Sequence, residues 1–269
     1  MKPRLFLRSL AAGAATAFLF IAVFAGWRHW QREPAPAARP KLDAPYVATL
    51  ENVVGRMLSL AEVSAADHVV DLGCGDGRIP IAAARGRGAS GYGVDIDPVR
   101  IAEAKANARR AGVEDRIRFE VRDLFEAPVE RASVVAFYLL PELNLRLRPR
   151  LLAELRPGTR IVSHAFDMGD WRPDRSAEID GAKLYLWVVP ARVAGRWILT
   201  DEHGRSAAIA LGQRYQDVSG NVREARLSGD RLRFVADLPG GPRPFEGRIA
   251  GDRIEPLDAA ARWRMERAR

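Results

Sequence analysis

The stretch "VVDLGCGDGRIP", Val69 to Pro80, constrains this chain more than any other. An apolar run closes on Asp71, and glycines follow at alternate positions, Gly73, Gly75 and Gly77. Glycine recurs where the backbone must take a positive φ or lie against something that leaves no room for a side chain. The next ten residues, "RIPIAAARGR", have helical composition. Strand, tight turn and helix in that order leave backbone N–H groups and the positive end of a helix facing outward at the strand's C-terminal edge. A chain built around such a turn needs an open sheet with helices crossing over its faces.

The flanking pattern extends this unit. "YVATLENVVGRMLSLAEV" places Leu50, Val53, Val54, Met57, Leu58 and Leu60 on one helical face, which predicts an amphipathic helix from about Thr49 to Ala61. "HVVDLG" and "GYGVDID" read as buried strands separated by a helix over Arg78 to Arg87. "DPVRIAEAKANARRAG" opens a second helix with Asp97 as N-cap and Pro98 at its first position, and Gly112 closes it. "RIRFEV", "SVVAFYLL" and "TRIVSHAF" are further strands, with "PELNLRLRPRLLAEL" a helix between the last two. Strands alternating with helices predict an α/β fold with a doubly wound parallel sheet. Beyond Trp187 the pattern becomes short alternating segments joined by Gly-Asp and Gly-Gly turns, and "LSGDRLRF" and "RIAGDRIEP" read as successive hairpins. The expected organisation is an N-terminal segment (1–27), a Pro/Ala linker (28–43), the α/β domain (44–190) and a small antiparallel β domain (191–269).

The N-terminal segment has its own logic. Ser9 to Trp27 is uncharged and apolar, and about 20 residues at 1.5 Å each span a bilayer. With Trp27 and Trp30 at the interface position, the segment reads as a single-pass transmembrane helix. Two alternatives stay open: a signal peptide cleaved after Ala25, which would export the protein, and an organelle presequence. Flanking charge does not set the orientation, because Lys2, Arg4 and Arg8 face Arg28, Arg32, Arg39 and Lys41.

The formal charge of +8 and pI of about 10.2 invite a nucleic-acid reading. The excess is almost all Arg, interleaved with acids as on a solvated surface, so no nucleic-acid partner is expected. Cys74 is alone, and His29, His68, His164 and His203 lack ligand spacing, so neither a disulfide framework nor a metal site is expected.

A second acid, Asp95, ends the strand after the glycine turn, where a carboxylate accepts hydrogen bonds from ribose hydroxyls. The turn is G-x-G-x-G rather than the G-x-G-x-x-G that wraps a pyrophosphate, so the expected ligand is adenosine-like. "DLGCGDG", "GVDIDP" and "FEVRDLFE", in that order, resemble the class I S-adenosylmethionine-dependent methyltransferases. The resemblance implies a seven-stranded Rossmann-like sheet. It also implies that Asp71 with Gly73, Gly75 and Gly77 holds the methionine end, Asp95 the ribose and Asp123 the adenine amine, with Ile96 and Leu124 on the two adenine faces. Local readings compete: Asp97 as a helix cap, Cys74 as a loop filler, Gly91 and Gly93 as packing glycines.

"YLLPELNLRLRPRLLAELRPGTRIVSHAF" and "DWRPD" are similar to the membrane-associated mitochondrial protein-lysine methyltransferases of the adenine nucleotide translocase and ATP synthase ring type, and to their bacterial relatives. That similarity implies a protein lysine as acceptor. A lysine amine with its ordinary pKa near 10.4 must be presented neutral. Tyr138 and Glu142 are the candidates for orienting it and Trp171 for stacking on its cation. A membrane-associated small molecule, such as an aminolipid or quinone precursor, is the alternative acceptor, and a nonenzymatic cofactor-binding module the remaining alternative. The cofactor is made in the cytosol, so the catalytic domain is expected on the cytoplasmic side.

Overall fold

The computed structural model describes residues 46–268. The expected anchor and the whole of the expected linker lie outside them; among the described residues no helix is long and apolar enough to cross a membrane. Both sheets described below belong to the same compact unit, Leu42–Arg269.

Helix α1 spans Glu51–Leu60 and buries Val53, Val54, Met57, Leu58 and Leu60, the face expected from the apolar spacing. It starts two residues later than Thr49, with extended Leu50 as its N-cap, so Thr49 lies outside the helix and is free to bond elsewhere. Strand β1 (His68–Leu72) leads into α2 (Arg78–Arg87), β2 (Ser90–Asp95) and α3 (Pro98–Arg110). The α3 termini follow local chemistry: Asp97 Oδ1 accepts from the Val99 N–H at 2.8 Å, and Gly112 takes φ +66° just past the last turn. Then come β3 (Ile117–Val121), β4 (Val134–Phe137), α4 (Pro141–Glu154), β5 (Arg160–His164), β6 (Arg175–Ile179) and β7 (Ala182–Val188).

These strands form one seven-stranded sheet in the order β3-β2-β1-β4-β5-β7-β6. The first five run parallel; β7 lies antiparallel to β5, and β6 antiparallel to β7. Alternate strand residues feed opposite faces. Val69, Val134 and Val162 pack with α1 and α2, while Val70, Leu72 and Phe137 pack with Leu143, Leu147 and Leu151 of α4. The order reverses direction at β1, with β2 on one side and β4 on the other, so a crevice opens at the C-terminal ends of these strands. Strand β4 is shorter than the run "SVVAFYLL" suggests: it stops at Phe137, and Tyr138 to Leu140 leave the sheet at that crevice.

The remaining strands are β8 (Gly195–Thr200), β9 (Ser206–Arg214), β10 (Asp217–Gly220), β11 (Arg223–Ser228), β12 (Arg231–Leu238), β13 (Gly241–Ala250), β14 (Arg253–Pro256) and β15 (Arg264–Arg267). They form an eight-stranded antiparallel sheet in which β15 returns to pair with β8. Inward side chains, including Trp197, Ile209, Leu227, Phe234, Phe245, Ile254 and Met265, share one core, so the sheet curls around its own contents. The expected hairpins are present, turning at Gly229-Asp230 and Gly251-Asp252 with φ +57° and +62° at the glycines.

The two sheets meet at the turn between β9 and β10. The Trp171 indole, in the loop after β5, donates to Gln216 Oε1 at 2.9 Å and stacks on Tyr215 at 5.6 Å. Gln216 Nε2 donates in turn to the Arg172 carbonyl at 2.7 Å. Asp170 closes the joint by accepting from Arg214, Tyr215 and Arg148, and the Arg214 hydrogen bond above all holds its carboxyl down to about 2.

Candidate active site

The three glycines of the turn after β1 all take positive φ, +81°, +52° and +79°, and each excludes a side chain for a different reason. A Cβ at Gly77 would sit 2.7 Å from the Phe119 ring and 2.9 Å from Ala104, so this position closes the packing of α2 against β3 and α3. At Gly75 it would meet the Tyr46 ring at 2.3 Å, and at Gly73 the Leu139 side chain at 3.0 Å. The turn is anchored by the Gly73 and Cys74 N–H groups, both donating to the Val94 carbonyl at 2.9 and 2.8 Å. Cys74 is buried and fills the loop, and a Cβ at Gly93 would collide with Phe119 at 2.7 Å, so both serve packing.

The acids are arranged around this turn. Asp95 Oδ2 accepts from the Gly75 N–H and its Oδ1 from the Asp97 N–H, each at 2.9 Å, which locks the carboxylate at the mouth of β2. Asp71 is different. It stands in register with Gly93 and Ala136, is 2% exposed, and receives no hydrogen bond from any described residue. Burial first, then the nearby negative charges of Asp95 and Asp76, push its carboxyl well above the ordinary range. An acid held like this is an acceptor waiting for a cation or a donor, because leaving it buried and unpaired is costly.

Asp123 is exposed beyond β3 and caps the following 3₁₀ turn, its Oδ1 accepting from the Phe125 N–H at 2.8 Å. The Arg122 N–H donates to the Asp95 carbonyl at 3.0 Å, which ties the mouth of β3 to that of β2. Ile96 is 39% exposed beside this junction, and Leu124 is partly buried against the core. The strand ends thus bring Asp71, the glycine turn and Asp95 to one edge, with Ile96, Asp123 and Leu124 on the segments that follow β2 and β3.

The acceptor candidates separate. Tyr138 is half-buried just past β4, its ring 3.9 Å from the His164 ring at an interplanar angle of 40°. Glu142 is exposed in the first turn of α4. Trp171 is 0% exposed: Tyr215 covers one face, its N–H is bound by Gln216, and its carbonyl accepts from Trp187 Nε1 at 2.7 Å. A ring with no exposed surface cannot stack on a substrate cation, so the expectation for Trp171 is corrected to packing. Sequence reasoning missed Tyr46, Thr49 and His164, which the fold brings to this edge. Among the described residues no cluster of side chains suited to a metal is present.

A seven-stranded sheet with one reversed strand, a glycine turn after β1 and an acid ending β2 define a class I S-adenosylmethionine-dependent methyltransferase. The family model of the ANTKMT methyltransferase domain matches residues 71–175, ending before the second sheet begins. A protein-lysine N-methyltransferase of Saccharolobus islandicus is 43% identical over 150 residues, covering 54% of this chain and 93% of that protein. The adenine nucleotide translocase lysine N-methyltransferase of Mus musculus is 32% identical over 133 residues, 49% of this chain and 58% of that one. The crystal structure of an RNA methyltransferase from Salinibacter ruber in complex with S-adenosyl-L-homocysteine superposes with a TM-score of 0.54 at 50% identity, covering 55% of this chain and 96% of that one. The chain belongs to this family of S-adenosylmethionine-dependent lysine methyltransferases, and its cofactor is S-adenosylmethionine.

The residues at the edge fit that cofactor. Its ammonium and sulfonium are cations, and Asp71 is a buried carboxylate beside two further acids, with no donor among the described residues. The raised pKa of Asp71 fixes the sign of a pH effect. Its contribution to the stability of the free protein is fully present below the ordinary carboxylate pKa and is lost as pH rises through the raised value. A cation beside it favours the ionised form, so binding of S-adenosylhomocysteine, which keeps the ammonium, should release a proton and tighten as pH rises through the same window. Calorimetry in two buffers of different ionisation enthalpy reads the release directly; identical apparent enthalpies would rule it out.

Proposed function

We propose that this chain methylates the side-chain amine of lysine in a protein. The observation that carries the reading is the 43% identity extending over 93% of the Saccharolobus protein-lysine N-methyltransferase. When bound, the cofactor supplies a methyl group on a sulfonium, open to displacement by a neutral amine. In this reading Asp71, Gly73, Gly75 and Gly77 take the methionine end, Asp95 the ribose hydroxyls and Asp123 the adenine amine, with Ile96 and Leu124 on the adenine faces. Asp95 suits its role because one lone pair on each oxygen is already fixed by a backbone N–H, which aims the remaining ones. Exposed Glu142 attracts the incoming ammonium, and half-buried Tyr138 orients the amine where water is thinned and loss of its proton is favoured.

We further propose that Ser9 to Trp27 anchors the protein as a single span with the catalytic domain on the cytoplasmic side. Membrane fractionation and a C-terminal fusion reporter test this; a soluble protein, or a C-terminus across the membrane, would overturn it.

The Salinibacter relative is described as an RNA methyltransferase, so RNA is the second acceptor to test. Tyr138, Leu139, Leu140 and Pro141 stand where nucleobase-amine enzymes carry an Asn or Asp followed by prolines, which favours lysine. Labelled S-adenosylmethionine with cell protein, RNA and lipid extracts decides among the acceptors. Methyllysine in protein hydrolysates is expected; label confined to nucleosides or lipids would overturn the lysine reading. Asp95→Ala should weaken S-adenosylhomocysteine binding about tenfold or more, as for hydrogen bonds to a charged group worth about 1.5–3 kcal/mol.

A further inference from the structure

Thr49 and His164, far apart in sequence, are both buried and meet at the C-terminal edge of the first sheet. Thr49 is 4% exposed and His164 8%. Thr49 Oγ1 lies 3.2 Å from His164 Nδ1, and the His164 ring packs on Tyr138 at 3.9 Å between centroids. The Thr49 carbonyl accepts from Arg78 Nη1 at 2.6 Å. Arg78, the first residue of α2, also pairs with Asp76 inside the glycine turn through Nε at 2.9 Å and Nη2 at 2.6 Å. Tyr46, three residues before Thr49, covers Gly75 of the same turn. The segment from Tyr46 to Thr49 is therefore fastened to the cofactor turn on one side and to the Tyr138–His164 pair on the other.

The backbone beyond His164 is held under strain. Ala165 takes φ +68°, a region that costs a non-glycine residue of order 1 kcal/mol or more and that clusters at functional sites. The reversal is clamped by the Ala165 N–H donating to the Lys183 carbonyl at 2.7 Å and by Ser163 Oγ donating to the Phe166 carbonyl at 2.7 Å.

We propose that His164 is a positioning residue for methyl transfer, holding the Tyr138 phenol in register with the cofactor turn through Thr49 and Arg78. The inference rests on Tyr138 orienting the acceptor amine. Burial lowers the His164 pKa, so the imidazole beside Tyr138 stays uncharged and does not repel a lysine side chain.

The test uses the full chain, labelled S-adenosylmethionine, and a protein extract from cells lacking the enzyme, the same extract in every arm. The readouts are methyllysine formed at saturating cofactor, the apparent KM for S-adenosylmethionine, and the Kd of S-adenosylhomocysteine by calorimetry. His164→Phe keeps a ring against Tyr138 but loses the bond to Thr49, and Thr49→Val loses the same bond from the other side. Each should lower the maximal rate about tenfold, as for a reacting group displaced by a fraction of an ångström. KM and Kd should stay within about twofold of wild type, since about 0.4 kcal/mol separates the two. Thr49→Ser, which keeps the hydroxyl, should recover most of the rate. In a double-mutant cycle, His164→Phe should cost nothing further once Tyr138→Phe is present. Wild-type rates in both single variants, or rate losses matched by weaker S-adenosylhomocysteine binding, would overturn the positioning role. An active wild type that yields no methyllysine would instead overturn the lysine reading, and this inference with it.

Discussion

Asp71→Asn is expected to raise the melting temperature of the free protein and to weaken cofactor binding at least tenfold. Both effects have one origin. Asp71 is buried among acids with no described donor, so in its ionised form it opposes folding. Asparagine has nearly the same shape and no charge to repel Asp95 and Asp76. Relief of about 1 kcal/mol would raise the melting temperature by about 2–4 °C in a chain of this size. The bound cofactor loses a charge-assisted contact to its ammonium, worth about 1.5–3 kcal/mol, or roughly ten- to a hundredfold in Kd. Thermal unfolding without ligand and calorimetry with S-adenosylhomocysteine check the two halves. A lower melting temperature with unchanged affinity would make Asp71 a structural residue and move the methionine end elsewhere.

Trp171→Ala is expected to cost about 3–5 kcal/mol of stability while leaving the Kd for S-adenosylhomocysteine of the folded protein within about twofold of wild type. The indole is fully buried in the core shared with Phe137, Leu147 and Trp187, so its removal leaves a cavity the size of a large side chain. It also orphans Gln216 Oε1 and removes the ring beneath Tyr215, loosening the joint between the two sheets. Trp171→Phe, which fills most of the space, should recover much of the loss. Denaturant unfolding measures the first effect. A stable variant that failed only in methyl transfer would restore Trp171 to the acceptor site.

The features legible in the sequence are those whose cause is local. Gly73, Gly75 and Gly77 announce positive φ, Asp97 and Pro98 announce a helix start, and Gly112 announces its end, because each acts on backbone within a few residues. Strands β6 and β7 have no such clarity in apolar spacing and follow only from the family resemblance. One signal for them is present: Asp180-Gly181 joins the two strands with φ +50° and +78°, the conformation that an Asp-Gly hairpin turn favours. Trp171 misleads because what buries it, Tyr215 and Gln216, arrives from another sheet. Thr49 reads as the start of a helix that begins only at Glu51, and its partner His164 carries no spacing that could point back to it. Contacts of this kind exist only after the fold is formed.

The pairing of β15 with β8 has a consequence for how the protein is made. On the ribosome, the seven strands of the cofactor sheet are all available once Val188 has emerged. Strand β8 emerges soon afterwards, yet one of its edges has no neighbour until Arg264–Arg267 is synthesised. In that interval Trp197 and Leu199, buried in the finished protein, lack the Met265 side of their core. A premature stop codon between β8 and β15 would release a nascent chain with its cofactor strands complete, trailing a β ribbon with an open edge and an incomplete apolar core, exposed to aggregation and to quality-control proteases.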